Sequence, residues 1–245
     1  MSASSPAPRG ARVSRWLETA TRLFGATLLK CLPLGMLAFL CWRLPSFYWQ
    51  ASGHHMSIQA YHDPAFNLLT LFGMTLELWL VGALMLRQRA MARGIPLDAI
   101  AALQAAARRL PSLLIGTLLA TLSIVVGLLL LVIPGVYLAI CYLLVWLPVV
   151  LIDGLGPYAS LLRSVRLLRP LWGQALAALV IAVLIFFIGA IVYAAIIQAL
   201  AGVLPSDGAA LAAIEAAGTV LFGALFVVYL SALQLVLHSA ASSSA

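Results

Sequence analysis

Two long stretches of this chain contain no charged side chain and no histidine. The first runs for 42 residues from Pro111 to Ile152, and the second runs from Pro170 to Ser206. At about 1.5 Å of rise per residue, a single helix over the first stretch would be about 63 Å long. That is about twice the hydrocarbon thickness of a bilayer. Because Pro134 and Gly135 lie near its middle, the stretch predicts two membrane crossings joined by a hairpin turn at this pair.

The composition is that of a chain that lies mostly in lipid. Of the 245 residues, 64% are hydrophobic and only 9% are charged, and the mean hydropathy is +1.11. Water does not tolerate so apolar a surface. We therefore predict an all-α fold, a polytopic helical bundle in a membrane. Hydropathy places six crossings, at Leu23–Trp42, Ala65–Leu86, Pro111–Ile133, Gly135–Ile152, Trp172–Leu200 and Ala209–Leu237.

Basic residues are confined almost entirely to one side of this arrangement. Twelve of the 14 Lys and Arg residues precede the first crossing, or lie between the second and third or between the fourth and fifth. The connections on the opposite side contain none. The positive-inside rule therefore predicts cytoplasmic termini and a multi-pass protein of the inner (plasma) membrane. Because the net charge of +7 is spread along one membrane face, without a nucleic-acid-binding module, we expect no nucleic-acid partner.

The two ends of the chain differ in composition from the apolar remainder. Residues 1–14 are rich in Ser, Ala and Pro, and residues 239–245 are almost entirely Ser and Ala. Such segments lack the apolar side chains needed to bury a core. We predict that both ends are disordered and that residues 15–238 form a single transmembrane domain.

Each basic segment also has the pattern of a short amphipathic helix. In the third segment, for example, one stripe is apolar and the opposite one carries serine and arginine. Such helices are expected to lie in the headgroup plane, with the apolar side toward the lipid. The three predicted apolar stripes are Trp16, Leu17, Ala20, Leu23 and Phe24; Leu97, Ile100, Leu103, Ala107 and Leu110; and Tyr158, Leu161, Leu162, Val165 and Leu168. The layout suggests three units of interfacial helix, crossing and crossing, but three basic loops beside any membrane would look alike.

Two ionisable residues lie deep inside predicted crossings. Lys30 is seven residues from the cytoplasmic start of the first crossing, and Glu77 is nine residues from the cytoplasmic end of the second. Because consecutive antiparallel helices are usually neighbours, we predict that Lys30 and Glu77 form an ion pair. Such residues form either a polar site or a proton-coupled gate, or a pair that fixes helix packing, or Lys30 snorkels toward the membrane surface.

The opposite side of the membrane offers a second polar pair and a group of histidines. Glu215 lies near the start of the last crossing, close enough to that side to reach either water, as an interfacial carboxylate, or Arg43. The loop after the first crossing contains residue types that bind Zn²⁺, but their spacing fits no established site. We therefore predict no metal site and no cofactor. The loop residues are His54, His55, His62 and Asp63.

No motif for catalysis is present. There is no serine nucleophile elbow, no phosphate-binding glycine loop and no zinc-protease helix motif. The seven acidic residues are scattered over both membrane faces and over different helices, which does not favour acid–base chemistry. We predict no catalytic residues and a protein that is not an enzyme.

One stretch, from Pro134 to Arg169, resembles a known family. It reads Pro134-Gly135-Val136-Tyr137-Leu138, then Leu147-Pro148-Val149-Val150, Asp153-Gly154-Leu155-Gly156-Pro157 and Leu162-Arg163-Ser164-Val165-Arg166-Leu167. It is similar to the membrane domain found beside some glycerophosphodiester phosphodiesterases and to stand-alone bacterial inner-membrane proteins of the YciC-like kind. The resemblance implies about six crossings. It implies no hydrolase activity, because no phosphodiesterase catalytic domain is present.

The chain also departs from that family. Cys141 stands where such proteins often carry a basic residue in the fourth helix, and Arg169-Pro170 stands where they often have glycine. These differences remove the support that the resemblance would give to a shared basic site in that helix.

Physical reasoning gives the same stretch a definite local structure. Pro148 lacks an N–H and should kink the fourth crossing. Gly154 and Gly156 permit a tight exit, and Pro157 suits the first turn of the next helix. That helix then directs its arginines toward lipid phosphates. The predicted headgroup contacts are Arg163, Arg166 and Arg169.

Two hypotheses for function follow. The first is a non-enzymatic inner-membrane protein that binds membrane lipids, in particular anionic headgroups, or an unidentified membrane-protein partner, in membrane or envelope homeostasis. The second is a transporter or channel for a small molecule or ion, using Lys30 and Glu77.

Overall fold

The computed structural model describes residues 9–53, 58–130, 132–203 and 208–243. These residues form helices and connecting turns, with no strand among them, so the predicted all-α membrane bundle is confirmed. The eight α-helices are α1 (Arg9–Ala51), α2 (Pro64–Ala92), α3 (Ala99–Ala107), α4 (Leu110–Leu130), α5 (Val132–Cys141), α6 (Pro157–Leu168), α7 (Trp172–Val203) and α8 (Gly208–Ser242). Short 3₁₀ segments cover Ile58–His62 and Arg169–Leu171, and π-helical segments cover Tyr142–Trp146 and Val149–Asp153.

Five helical stretches in the described part of the chain are long and apolar enough to cross a membrane. They are Arg12–Ala51, Pro64–Ala92, Leu110–Leu130, Pro157–Ala199 and Ala213–Ser242, and a shorter apolar helix covers Val132–Trp146. Their outward faces carry large apolar side chains. Leu129 is 81% exposed and Ile133 is 80% exposed, which suits contact with lipid and not with water.

The predicted fourth crossing is interrupted. It consists of α5 followed by the two π-helical segments, and Pro148 lies between them. A proline cannot donate the usual helical hydrogen bond, and a π segment is one way in which a helix absorbs that loss. Gly154 then ends the second π segment in the left-handed conformation, with φ of +67°.

Pro134 and Gly135 do not form the predicted hairpin turn. α4 ends at Leu130 and α5 begins at Val132, so Pro134 and Gly135 belong to the first turn of α5. Proline is tolerated there because the first N–H groups of a helix have no intrahelical partner. Gly135 serves close packing instead of a turn: a Cβ on Gly127 would lie 2.9 Å from the Gly135 Cα.

The three predicted interfacial helices take different forms. The first is simply the beginning of α1, a helix of 43 residues and therefore about 65 Å long. The second is α3, which buries Ala102 and Ala106 against Ala83 of α2. The third is α6, which packs against α4, α5 and the first π segment.

The packed face of α6 buries two serines together with Leu167 and Leu168, while part of the apolar stripe predicted to face lipid is exposed. Ser160 and Ser164 are buried, while Tyr158 is 68% and Leu162 is 42% exposed. Small residues four apart let two helices approach closely. Burying these serines leaves no hydroxyl unpaired, because Ser160 Oγ donates to the Pro157 carbonyl at 2.7 Å and Ser164 Oγ donates to the Leu161 carbonyl at 2.8 Å.

The predicted disordered ends overlap with helices. α1 begins at Arg9 and α8 continues to Ser242, so residues 9–14 and 239–242 belong to these two helices. Residues 1–8 and 244–245 lie outside the described residues, as do His54 and His55. Asp63, from the same loop, caps α2 by accepting a hydrogen bond from the Ala65 N–H at 2.8 Å.

The core consists of several clusters. The largest lies among α1, α5, the first π segment, α6, α7 and α8, and another lies between α1, α2 and α8. Cys31 and Leu34 of α1 pack with Leu80 and Leu84 of α2 and with Val228 of α8. α7 packs along α8 and α1, and the helices α4, α5 and α6 pack as a second group beside them. The two groups meet where the first π segment contacts α8, and the candidate site lies at this junction.

Candidate functional site: two cavities beside helix α8

The first cavity, here called the Glu77 cavity, lies among α1, α2, α4, α8 and the first π segment. Its volume is about 390 Å³. Polar groups enter it from Glu77 of α2 and from Ser231 and Gln234 of α8. Aromatic and aliphatic side chains form the rest of its wall, namely Trp42, Met74, Leu78, Val81, Tyr142, Leu143, Trp146, Leu147, Val227 and Leu230, together with Thr117.

Several acceptors in this cavity have no partner among the described residues. Gln234 Nε2 donates to the Leu143 carbonyl at 2.5 Å, but Gln234 Oε1 and Ser231 Oγ are buried without a hydrogen bond. The Glu77 carboxylate makes no ion pair within 4 Å with any described residue. Since an unpaired polar group in a low-dielectric interior costs free energy, such atoms indicate a place for an occupant.

The first π segment has two polar side-chain groups, the Tyr142 hydroxyl and the Trp146 indole N–H, and both are already hydrogen-bonded. The Tyr142 hydroxyl hydrogen bonds with Thr117 Oγ1 at 3.1 Å, and Trp146 Nε1 donates to Ser160 Oγ at 3.0 Å. Their rings stack with centroids 4.7 Å apart. The π segment thus presents ring surface to the cavity wall and holds that surface in place from α4 and α6.

The second cavity, here called the Arg89 cavity, lies at the ends of α2 and α8 and beside the N-terminal part of α1. Its volume is about 490 Å³. Arg89, Arg93, Asp153 and His238 supply its charged and titratable groups. The hydroxyl residues Thr19, Ser239 and Ser242 also line it.

Positive charge exceeds negative charge around the Arg89 cavity. Arg89 interacts electrostatically with Arg93 and with Asp153, and His238 interacts with Asp153, Arg89 and Arg163. Two arginines and one carboxylate therefore line the cavity, and the charge of a third arginine, Arg163, acts on His238. His238 Nε2 lies 3.4 Å from Asp153 Oδ1 without hydrogen-bond geometry, so that nitrogen has no hydrogen-bond partner in the described structure.

Helix α8 connects the two cavities. Ser231, Gln234 and His238 are spaced three and four residues apart, so they lie along one stripe of the helix. Each is at most 6% exposed. Ser231 and Gln234 each have one polar atom without a hydrogen-bond partner among the described residues, and His238 Nε2 lies beside the Asp153 carboxylate. The stripe joins the Glu77 cavity at Gln234 to the Arg89 cavity at His238.

The predicted Lys30–Glu77 ion pair is absent from the described structure. Thr27 faces Gln88, and Cys41 faces Gly73, so the register of α1 against α2 places Lys30 level with about Met85. Glu77 is level with about Ala38, which is roughly 12 Å away along α1 at helical rise. Lys30 is also exposed, one residue away from the buried position Cys31.

Arg43 and Glu215 do not meet either. The Arg43 guanidinium lies over the Phe47 ring, 5.6 Å from its centroid. Glu215 is exposed and lines a separate cavity of about 410 Å³ between α7 and α8. No ion pair joins them within the part of the chain that the structure describes.

The predicted headgroup arginines lie on the outside of α6 and its extension. Arg163, Arg166 and Arg169 are not among the buried residues, and none pairs with a carboxylate among the described residues. Arg169 lines another cavity, of about 570 Å³, beside Trp172 and Gln174. Of the three, Arg163 is the one whose charge acts on the Arg89 cavity, through His238.

The turn that orients α6 is built as its residue types require. Gly156 is the N-cap of α6 and Pro157 lies in its first turn. Arg109 closes the turn by donating from Nη1 to the Gly154 carbonyl at 3.2 Å. This turn places Asp153 at the edge of the Arg89 cavity.

Sequence reasoning missed Ser231, Gln234 and His238. The available signal was three polar side chains at helical spacing toward the end of the last predicted crossing, where a bilayer offers them no partner. It also missed Arg89 and Arg93 as a pair, because they were counted only toward membrane orientation.

Comparison with known proteins found no relatives. No family model, no curated protein and no solved structure matches this chain.

Proposed function

We propose that this chain is a non-enzymatic, multi-pass protein of the inner (plasma) membrane that binds an anionic lipid headgroup in the Arg89 cavity. The observation that carries the proposal is the excess of arginine over carboxylate around that cavity. Arginine forks bind phosphate oxygens in pairs, and the Ser242 hydroxyl adds a donor, whereas the hydroxyls of Thr19 and Ser239 already donate to the Arg15 and Val236 carbonyls. With both termini cytoplasmic, the cavity lies at the cytoplasmic leaflet, where anionic lipids attract basic groups.

The Arg89 cavity would select its lipid through both charge and shape. The cavity is partly enclosed by apolar side chains of α1 and α8, among them Leu23 and Leu235, which suit the upper part of an acyl chain. The arginines on the outside of α6 would add attraction to the surrounding headgroups without fixing one molecule. A protein partner in the same membrane would use the same basic face.

The test measures which lipids stay with the protein. The full chain is extracted directly into polymer nanodiscs, and the retained lipids are quantified by mass spectrometry against the bulk membrane. The wild type is expected to enrich anionic phospholipid severalfold, and Arg89→Gln with Arg93→Gln is expected to abolish the enrichment. Arg12→Gln with Arg108→Gln removes the same charge outside the cavity and should leave the enrichment unchanged.

Two results would contradict the proposal. One is a lipid composition around the wild type equal to that of the bulk membrane. The other is equal loss of enrichment in both double variants, which would mean that only net charge matters.

Transport of a small molecule or ion is the second candidate. It is favoured by the Glu77 cavity, where a carboxylate and two unpartnered acceptors lie among membrane helices. The stripe of polar residues on α8 that leads from this cavity toward the Arg89 cavity supports the same candidate.

A further inference from the structure

The Glu77 cavity differs chemically from the Arg89 cavity, and we propose that it binds an amphipathic organic cation: an ammonium group attached to an aromatic or aliphatic body. This ligand is the electrostatic opposite of a lipid phosphate. The inference therefore does not rest on lipid binding at the Arg89 cavity.

The unpartnered polar groups of the residues that line this cavity have more acceptor than donor capacity, because Gln234 Oε1 and the Glu77 carboxylate only accept, while Ser231 Oγ can both accept and donate. Because the Leu143 oxygen can only accept, the Gln234 amide must direct Nε2 toward it, and Oε1 is left free. The Ser231 oxygen and the Glu77 carboxylate are also available. An ammonium group carries three N–H donors and no acceptor, so it complements a set of this kind, whereas a phosphate or a carboxylate would not.

Charge favours the same ligand. Among the described residues, no Lys, Arg or His lines the Glu77 cavity, and Lys30 lies about two helical turns away along α1. A carboxylate alone in the interior of a membrane protein is costly. A bound cation would neutralise it in a low-dielectric environment, where the attraction is stronger than in water.

The remaining wall suits the body of such a ligand. The rings of Trp42, Tyr142 and Trp146 line the cavity beside aliphatic side chains, and aromatic faces attract cations as well as apolar groups. The volume of about 390 Å³ falls at the lower end of the range of about 300–1,000 Å³ typical of small-molecule pockets. The site therefore fits a cation with one ring or a short aliphatic chain.

The experiment compares a charged probe with a neutral one of the same shape. Calorimetric titration of the full chain in detergent at pH 7 would use 2-phenylethylamine, which is protonated there, and 2-phenylethanol. We expect the amine to bind at least tenfold more tightly than the alcohol. Glu77→Gln should weaken amine binding at least tenfold. Glu215→Gln makes the same change on an exposed membrane-helix carboxylate and should have no effect.

Further variants separate this site from the lipid site and guard against misfolding. Arg89→Gln with Arg93→Gln should retain amine binding, and Gln234→Leu with Ser231→Ala should weaken it. The proposal is overturned if amine and alcohol bind equally to the wild type, or if neither binds. It is also overturned if folded Glu77→Gln binds the amine as tightly as the wild type. Where Glu77→Gln does not fold, the comparison of amine with alcohol on the wild type decides alone.

Discussion

Trp146 illustrates how single residues define the site. Its indole N–H donates to Ser160 of α6, its ring stacks on Tyr142, and it is only 1% exposed. Gly116 of α4 lies directly against the ring, so that any Cβ there would overlap it. The absence of a side chain at Gly116 is therefore what allows Trp146 to form part of the Glu77 cavity wall.

Gly116→Ala is expected to destabilise the protein by about 1–3 kcal/mol, because a rigid, hydrogen-bonded ring cannot move away without cost. The apparent melting temperature in detergent measures this. Gly25→Ala is the matched control, because no atom lies within 4 Å of the place that its Cβ would take and alanine favours a helix. Equal melting temperatures for Gly116→Ala and the wild type would show that Trp146 is not held as described.

The sequence predicted neither the relative depth nor the pairing of Lys30 and Glu77 correctly. Lys30 and Glu77 seemed level because each was counted from a crossing end set by hydropathy. Contacts such as Thr27 with Gln88 set the true register, and the rotation of α1 about its axis directs Lys30 away from the bundle. Neither register nor rotation is contained in hydropathy.

At the scale of helices, one buried amide joins the three central elements. Gln88 of α2 is fully buried, and its Nε2 donates to the Val228 carbonyl of α8 at 3.0 Å and to Thr27 Oγ1 of α1 at 3.3 Å. Hydrogen bonds between membrane helices contribute modestly to stability, but they fix which faces meet.

Replacing Gln88 by Met keeps the shape of the side chain and removes both hydrogen bonds. We expect a loss of about 1 kcal/mol in the free energy of unfolding, in line with hydrogen bonds between membrane helices. The free energy of unfolding is measured by titrating the protein with a denaturing detergent. Gln104→Met, at an exposed position of α3, should leave the free energy of unfolding unchanged. An equal loss in both variants would show that the hydrogen bonds of Gln88 are not the cause of its effect.

Helices as such were predictable, but the faces that they bury were not always so. The apolar runs predicted the long helices. Pro148 predicted the interruption of the fourth crossing, and Gly154 and Pro157 predicted the turn before α6. The apolar stripe of α6 was predicted to face lipid, and Tyr158 and Leu162 of that stripe are exposed, but the pattern did not predict that the helix buries Ser160 and Ser164 beside Leu167 and Leu168. Between membrane helices, small residues that permit close approach compete successfully with larger apolar ones, which lipid accommodates equally well.

For the whole molecule, the segregation of arginines remains the main indication of orientation. We expect both termini and the loop after α2 to be cytoplasmic. Ser52 and Ile95 are both exposed, but they are expected on opposite sides of the membrane. In intact cells, an impermeant thiol reagent should therefore label Ser52→Cys and not Ile95→Cys. Labelling of the unsubstituted chain measures the background from its own three cysteines. Labelling of Ile95→Cys alone would show the opposite orientation.

The sequence by itself determined that this protein is an all-helical membrane protein with a basic face. Long uncharged apolar runs have no other stable solution in a bilayer, where each backbone hydrogen bond must be made internally. Only the tertiary structure decided where the polar groups meet. The Glu77 cavity draws on four helices and a π segment, and the Arg89 cavity on residues from Thr19 to Ser242. Such juxtapositions depend on helix register and rotation, which packing sets across distances that no local pattern records.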